Sequence, residues 1–186
     1  MVHKGTVRLE TERLILRRFT VADAEAMFKN WASDPEVTKY LSWEPHVNIE
    51  ETREILRTWV NSYDFKNYYS WGIEIKDSET LIGSIAVVEG RENIRLVHIG
   101  YCIGKPWWHQ GYVSEALAEL IRFFFEEVGV NRIESCHEPA NTHSGDVMKK
   151  CGMQYEGLHR QSIYKPDGQF PDACYYAILA EDYRKR

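Results

Sequence analysis

Trp107-Trp108-His109-Gln110-Gly111-Tyr112-Val113-Ser114-Glu115-Ala116-Leu117 sits between a strand-like run and a helix, and its reading decides the rest. The run Leu96–Ile103 precedes it, broken by Gly104-Lys105-Pro106. After it, Leu117, Leu120, Ile121, Phe124, Phe125 and Val128 recur at spacings of three and four, which places them on one helical face. The stretch is therefore strand end, tight loop with one glycine, and helix start. The first N–H groups of a helix lack partners within it, and with the helix dipole they favour an anion. Gly111 allows close backbone approach and a positive φ. An ordinary strand-to-helix connection is the alternative at this point.

A second stretch adds to it: Asn141-Thr142-His143-Ser144, then Val147-Met148-Lys149-Lys150-Cys151-Gly152-Met153, a strand end followed by a short helix and a glycine stop. Together the two stretches resemble the GCN5-related N-acetyltransferase family. In that family a loop of arginine or glutamine, two residues, glycine, one residue, then glycine or alanine holds the pyrophosphate of acetyl-coenzyme A on its backbone amides. Here Trp108 stands first, Gly111 matches, Val113 takes the place of the small residue, and His109 lies where a glycine is common. The run Tyr112–Leu117 is similar to the "G-Y-A-S/T-E-A-L" form of the subfamily that acetylates N-terminal amines of ribosomal proteins. Two further phrases carry the same resemblance: Leu9-Glu10-Thr11-Glu12-Arg13-Leu14-Ile15-Leu16-Arg17, and the end of the chain around Tyr176-Ala177-Ile178-Leu179. The resemblance covers nearly the whole chain.

The chain has 186 residues, 44% hydrophobic and 27% charged, which suits one globular domain spanning 1–186. A net charge of −5 argues against a basic face for nucleic acid but is compatible with a basic protein partner. The four cysteines, Cys102, Cys136, Cys151 and Cys174, form no C-x-x-C pair and suggest no zinc spacing, so no metal is expected. They read as reduced thiols. Met1–Thr6 lacks an apolar run, and nothing is long enough to span a bilayer, so a cytoplasmic protein without membrane contact is expected.

Along the chain, Leu14 and Leu16 suggest a short first strand. Thr20 with Asp23 reads as the cap of a helix running to about Trp31, with Ala24, Met27, Phe28 and Trp31 inward. Asp34-Pro35 ends it, and a second helix spans Ile49 to Asn61 with Ile55, Leu56, Trp59 and Val60 as its stripe. Strands follow at Trp71–Lys76, Leu81–Val88, Leu96–Ile103, Arg132–His137 and Ala173–Leu179, with weaker alternation over 153–164. Gly129 reads as a helix stop.

The resemblance implies an α+β fold: a three-layer α/β/α sandwich with a mixed, mostly antiparallel sheet of about seven strands and about four helices. Its fourth and fifth strands are parallel, joined by the helix of residues 112–128, and splay apart so that pantetheine pairs with Cys102, Ile103 and Gly104. The backbone of Gln110, Gly111, Tyr112, Val113, Ser114 and Glu115 would hold the pyrophosphate, with Asn141 adding a side-chain hydrogen bond. A backbone N–H near Ile103 would polarise the thioester carbonyl. Ser144 matches the subfamily serine that assists the departing thiol, though it also suits a helix cap. The glutamate and tyrosine that form an acid–base pair in some relatives are here Cys136 and Met148, which leaves His98 and Glu138 as candidate bases. An α-amine (pKa about 8) needs less help losing its proton than a lysine (about 10.4), so an acceptor at a protein N-terminus fits a site without a strong base. The alternatives are a small amine (polyamine, amino acid or antibiotic), favoured by a closed pocket lined by Trp43, Tyr68, Tyr69 and Trp71, and a coenzyme A sensor without turnover. Trp43 and His46 are candidates for the acceptor wall. The expected state is a monomer or homodimer.

Overall fold

The computed structural model describes residues 1–185. Its centre is one sheet of eight strands: β1 (Leu9–Glu10), β2 (Leu14–Arg17), β3 (Ser70–Ile75), β4 (Thr80–Arg91), β5 (Leu96–Ile103), β6 (Arg132–His137), β7 (Gln154–His159) and β8 (Ala173–Leu179), in the order β1-β2-β3-β4-β5-β6-β8-β7. The expected seven become eight because the chain before Leu14 folds back as β1, with Leu9 opposite Leu16. The pair β5–β6 is parallel; the other neighbours run antiparallel. Parallel strands need a long crossover connection, and α4 (Tyr112–Phe123) supplies it.

Two apolar layers cover the sheet. On one face Leu14, Leu16, Trp71, Ile73, Ile82 and Ile85 pack with α4 through Ala116, Leu117, Leu120 and Ile121. On the other, Phe19 and Leu81 meet Met27 of α1 (Ala24–Met27), Trp31 in the turn that follows it, and Leu56 of α3 (Ile49–Ser62). The remaining helices are α2 (Pro35–Thr38), α5 (Thr142–Lys150) and α6 (Ala180–Arg184). The α+β sandwich with helices on both faces is the expected one.

Two helices are not the uniform cylinders their periodicity suggests. The first runs from a 3-10 turn capped by Asp23, whose carboxylate accepts from Thr20 N–H at 2.7 Å, through α1 into a π turn at Phe28–Ala32. Ser33 N–H then reaches back to Phe28 O at 3.2 Å. The helix after Gly111 widens in the same way at Phe124–Val128, where Gly129 N–H donates to Phe124 O at 2.9 Å. The extra residue per turn rotates the stripe: Phe124 is buried and Phe125 half-buried. Gly129 ends it at φ 77°.

Gly83 on β4 fixes how closely β5 approaches. A Cβ there would stand 2.3 Å from Cys102 O and 2.9 Å from Ile103 Cα, both backbone atoms that cannot swing aside. Gly83→Ala is expected to cost about 1–3 kcal/mol, the usual range for overpacking. A urea midpoint that falls at unchanged slope would show this, and an unchanged midpoint would mean that β5 yields.

Candidate active site

β5 and β6 pair over Leu96–His98 against Arg132–Glu134 and then part: β5 continues beside β4, and β6 beside β8. Gly104 N–H donates to Ile82 O at 2.9 Å, which sets the phase of the β4–β5 ladder. By the alternation of an antiparallel pair, Tyr101 and Ile103 therefore turn their N–H and C=O groups toward the gap. The Ile103 carbonyl accepts from Trp108 Nε1 at 2.8 Å, and the Ile99 carbonyl from Ser135 Oγ at 2.7 Å. Ile103 N–H and both Tyr101 backbone groups remain along the edge.

Two cavities flank this gap. One, of about 440 Å³, lies at the start of α4 and α5. Gly111, the residue before α4, has φ 80°, and His109 has φ 60°, so the loop takes left-handed conformations at both places. Tyr112, Val113 and Ser114 present the first N–H groups of α4 and line the cavity. Glu115 does not: its N–H donates to Gly111 O at 3.0 Å, and its carboxylate accepts from Thr11 Oγ1, Arg13 N and Arg13 Nε at 2.5, 2.8 and 2.7 Å. Burial works against that charge, but these bonds hold the Glu115 carboxyl below the usual range. Arg13 also donates to Gln110 O at 3.1 Å and lies over the Tyr112 ring, so a residue from the start of the chain clamps the loop. Gln110 turns its side chain to Pro106 O at 2.8 Å. Lys150 Nζ stands 3.6 Å from where a Gly111 Cβ would lie, and the His109 and His143 rings meet at 4.5 Å across the mouth. Donor N–H groups, an ammonium and a guanidinium thus surround one glycine loop, a setting suited to a diphosphate.

The second cavity, of about 510 Å³, adjoins the first. Its walls are aromatic, with Trp31, Trp43, Trp59, Tyr68 and Tyr69. Trp31 Nε1 is buried without a protein partner. His46 does not reach this wall directly; it is buried, its Nδ1 lies 2.8 Å from Thr52 Oγ1, and its ring backs Trp43 at 5.3 Å. Trp71, which the closed pocket of the small-amine alternative would need, is instead core, packed on Phe123 and Phe124 with its Nε1 donating to Val7 O at 2.6 Å. The two cavities share Tyr40, Leu41, Tyr101, Cys102, Asn141 and Ser144.

The junction residues are held as follows. Asn141 precedes α5 but makes no side-chain cap bond, which leaves its amide toward the cavities it lines. Ser144 is inside the first turn of α5 and is not its cap; its Oγ lies 3.0 Å from Tyr101 OH, which also donates to Ser144 O at 3.1 Å. Burial pushes the Tyr101 phenol well up, so it stays protonated. Gly104 has no room for a side chain, since a Cβ would meet Asn30 O at 2.2 Å.

Neither candidate base is free. Glu138 lies 2.5 Å from Lys165 Nζ. His98 is 3.4 Å from Glu134 Oε1 through Nδ1 and 3.7 Å from Cys136 Sγ through Nε2. Burial pushes the imidazole down, but the bonds to Cys136 and Glu134 outweigh it and raise it to about 9. At neutral pH His98 carries a proton and does not take one from an amine. Sequence reasoning missed Trp31, Tyr101, Lys150 and the Arg13 clamp; only Arg13, inside the Thr11–Leu14 phrase, had a signal.

Gly111→Asp should weaken acetyl-coenzyme A binding by at least tenfold by calorimetry, because it puts a charge and a strained φ beside the open N–H groups. Lys150→Ala should weaken it about five- to tenfold, the worth of ~1 kcal/mol, and less at high salt. Unchanged affinity in both would remove this loop from the site.

The Acetyltransferase (GNAT) domain family matches residues 13–154. The uncharacterized N-acetyltransferase YoaA of Bacillus subtilis is 36% identical over 92% of this chain and 96% of its own. The [Ribosomal protein uS5]-alanine N-acetyltransferase of Escherichia coli is 27% identical over 95% of this chain and 93% of its own. Among solved structures, an acetyltransferase (GNAT family) from Bacillus anthracis superposes with a TM-score of 0.82 at 28% identity, covering 94% of this chain and 99% of that one. The chain belongs to the GNAT family and is an N-acetyltransferase of that fold.

Proposed function

We propose that this protein transfers the acetyl group of acetyl-coenzyme A to the α-amine at the N-terminus of a protein. One observation carries the reading: two cavities meet beside the β5–β6 gap and share Tyr101, Cys102, Asn141 and Ser144 at its rim. The donor lies in the first, with its pyrophosphate on Tyr112–Ser114 N–H and Lys150. Its pantetheine runs along the open edge of β5, and its thioester carbonyl accepts from Tyr101 or Ile103 N–H. Such a preset donor is worth most where water is excluded. The amine enters through the second cavity. Ser144 Oγ stands at the junction to assist the departing sulfur, and a thiol of ordinary pKa about 8.5 leaves readily as thiolate.

The choice of an α-amine rests on the acid–base inventory. Glu138 is ion-paired and His98 is charged at neutral pH, so neither of these two candidate bases is free to serve the acceptor. An amine of pKa about 8 is then disfavoured by roughly 1 kcal/mol at pH 7, against roughly 5 kcal/mol for a lysine. The Escherichia coli relative, named a [Ribosomal protein uS5]-alanine N-acetyltransferase, supports a protein acceptor. The aromatic wall of the second cavity, with the unpartnered Trp31 Nε1, favours a second reading, a small aromatic or cationic amine.

Thiol release from acetyl-coenzyme A with a panel of acceptors tests this. Peptides with free alanine, serine or threonine N-termini should turn over, with a rate that climbs with pH toward about 8 as the amine loses its proton. N-blocked lysine peptides should lag by at least a hundredfold. Turnover of polyamines or amino acids with no peptide activity would transfer the function to the small-amine reading.

A further inference from the structure

Among the described residues, the buried side-chain polar atoms without a hydrogen-bond partner are Trp31 Nε1 and Glu138 Oε1. Both residues line the second cavity, so a donor and an acceptor are left unpaired at one place. Buried groups of this kind are rare and costly, and two of them on one cavity point to a polar ligand. Glu138 is also the only carboxylate among the described residues that line it. Its backbone O accepts from Asn141 N–H at 2.8 Å, and Asn141 O accepts from Ser144 N–H at 3.2 Å. The carboxylate therefore belongs to the turn that carries Asn141 and Ser144, which line both cavities.

What covers Glu138 is the chain itself. The segment 160–172, between β7 and β8, is closed on itself: Ser162 N–H donates to Pro171 O at 3.1 Å, Lys165 N–H to Gln169 O at 3.0 Å, and Gln161 N–H to Asp172 Oδ1 at 2.8 Å. Among the described residues, the hydrogen bond and the ion pair that leave the segment are both made by Lys165. Its Nζ stands 2.5 Å from Glu138 Oε1, donates to Lys39 O at 2.7 Å and lies 5.9 Å from the centre of the Tyr40 ring. The Lys165 and Glu138 side chains are only 15% and 13% exposed. Their approach brings charge to charge without the alignment of a hydrogen bond, so Oε1 keeps its acceptor capacity. Ile163, on the same segment, lines the cavity, as do Tyr40 and Glu138.

We propose that Glu138 is the entry subsite for the ammonium group of the acceptor, and that Lys165 is a tethered competitor which holds this place until an acceptor displaces it. This rests on the acceptor reading above and adds how the cavity selects a primary amine. Lys165 supplies a compact cation with three donors on a flexible stem, and a protonated primary amine brings the same group. The acceptor can also align the hydrogen bond that Lys165 leaves unmade. Its arrival releases Lys165 together with segment 160–172, and the cavity opens between Ile163 and Tyr40. Glu138 recruits the amine and does not activate it, because pairing favours the charged form. The amine gives its proton to solvent as it leaves the carboxylate for the thioester. The effect therefore falls on KM. A competitor seated roughly nine-tenths of the time weakens apparent acceptor binding about tenfold, the factor by which the open fraction is reduced.

The experiment measures steady-state rates of the full chain at saturating acetyl-coenzyme A, with whichever amine of the acceptor panel turns over best, peptide or polyamine. Lys165→Met removes the competitor and keeps the apolar stem, so KM for the acceptor should fall about five- to tenfold. Lys165→Arg keeps a cation on the segment and should show less of this fall. Glu138→Gln should raise KM by about tenfold or more, with kcat moving less than KM. In the double variant the gain from Lys165→Met should disappear, since the two residues act on one contact. Lys185→Met removes an exposed ammonium paired with Glu181, away from both cavities, and should leave KM as it is. A KM that holds or rises in Lys165→Met gives Lys165 a purely structural part and overturns the proposal. An unchanged KM in Glu138→Gln overturns it as well. In both cases the parent still turns over its amine, and the transferase reading stands. If acetyl-coenzyme A binds but no amine of the panel is acetylated, the acceptor reading and the subsite fall together.

Discussion

β5 and β6 share three residues of parallel pairing, and everything at the site follows from their parting afterwards. A parallel pair left open would strand N–H and C=O groups on both edges, which is costly where water is excluded. β6 solves this by turning to β8, where Ser135 lies opposite Tyr176 and Cys136 opposite Tyr175. β5 solves it in part: Ser135 Oγ and Trp108 Nε1 take the carbonyls of Ile99 and Ile103, and the groups between them stay open. The gap is braced by Tyr101 OH on Ser144, so that α5 cannot drift from β5. Gly83 and Gly104 then bring β4 and the Asn30 turn too close to admit side chains, fixing the open edge from behind.

The loop before α4 depends on a contact distant in sequence. Gly111 and His109 both adopt positive φ, and the histidine carries strain of order 1 kcal/mol that a glycine would not. Arg13 and Thr11 hold the far side of the loop through Glu115 and Gln110 O. The pairing leaves Arg13 as part of the loop's support, while Lys150 faces the same glycine from α5. Elements from the start, middle and end of the fold must therefore be in place before the N–H groups of α4 are presented in register.

How far this could be read in advance varies by element for physical reasons. β5, β6 and β8 were legible to the residue: β5 is an apolar run that ends at Gly104, β6 alternates and ends before Pro139, and β8 is an apolar run that ends before the acidic start of α6. β4 runs on to Arg91, beyond the expected Val88, because a bulge between Val87 and Glu89 lets polar, exposed residues continue the pairing. The π turns at Phe28–Ala32 and Phe124–Val128 were not legible, since each shifts the apolar stripe by less than one residue's arc. At the site, the single glycine and the Asn141–Ser144 phrase marked the places where backbone groups lie open. The roles assigned to side chains fared less evenly. Glu115, read as a backbone donor, is a side-chain anchor; Trp71, which a closed small-amine pocket would need, is core; and His98, a candidate base, is an imidazolium at neutral pH. Each depends on partners far away in sequence, Arg13, Phe123 and Glu134, which periodicity does not report.

The array His98–Glu134–Arg132–Glu156 crosses β5, β6 and β7 and sets what the site can do with charge. Glu134 is nearly buried, and His98 and Arg132 hold its carboxyl below the usual range. With His98 protonated from solvent, the four side chains sum to zero, two cations against two anions. Bringing in a further anion from outside would break that balance at the cost of an uncompensated buried charge. Cys136 Sγ, 3.7 Å from His98 Nε2, meets this array from the cavity side and brings no carboxylate to it. A carboxylate in place of Cys136 would add a permanent negative charge beside Glu134, and the two would compete for His98. With a cysteine at this position, His98 keeps Glu134 as its carboxylate partner at the cavity wall.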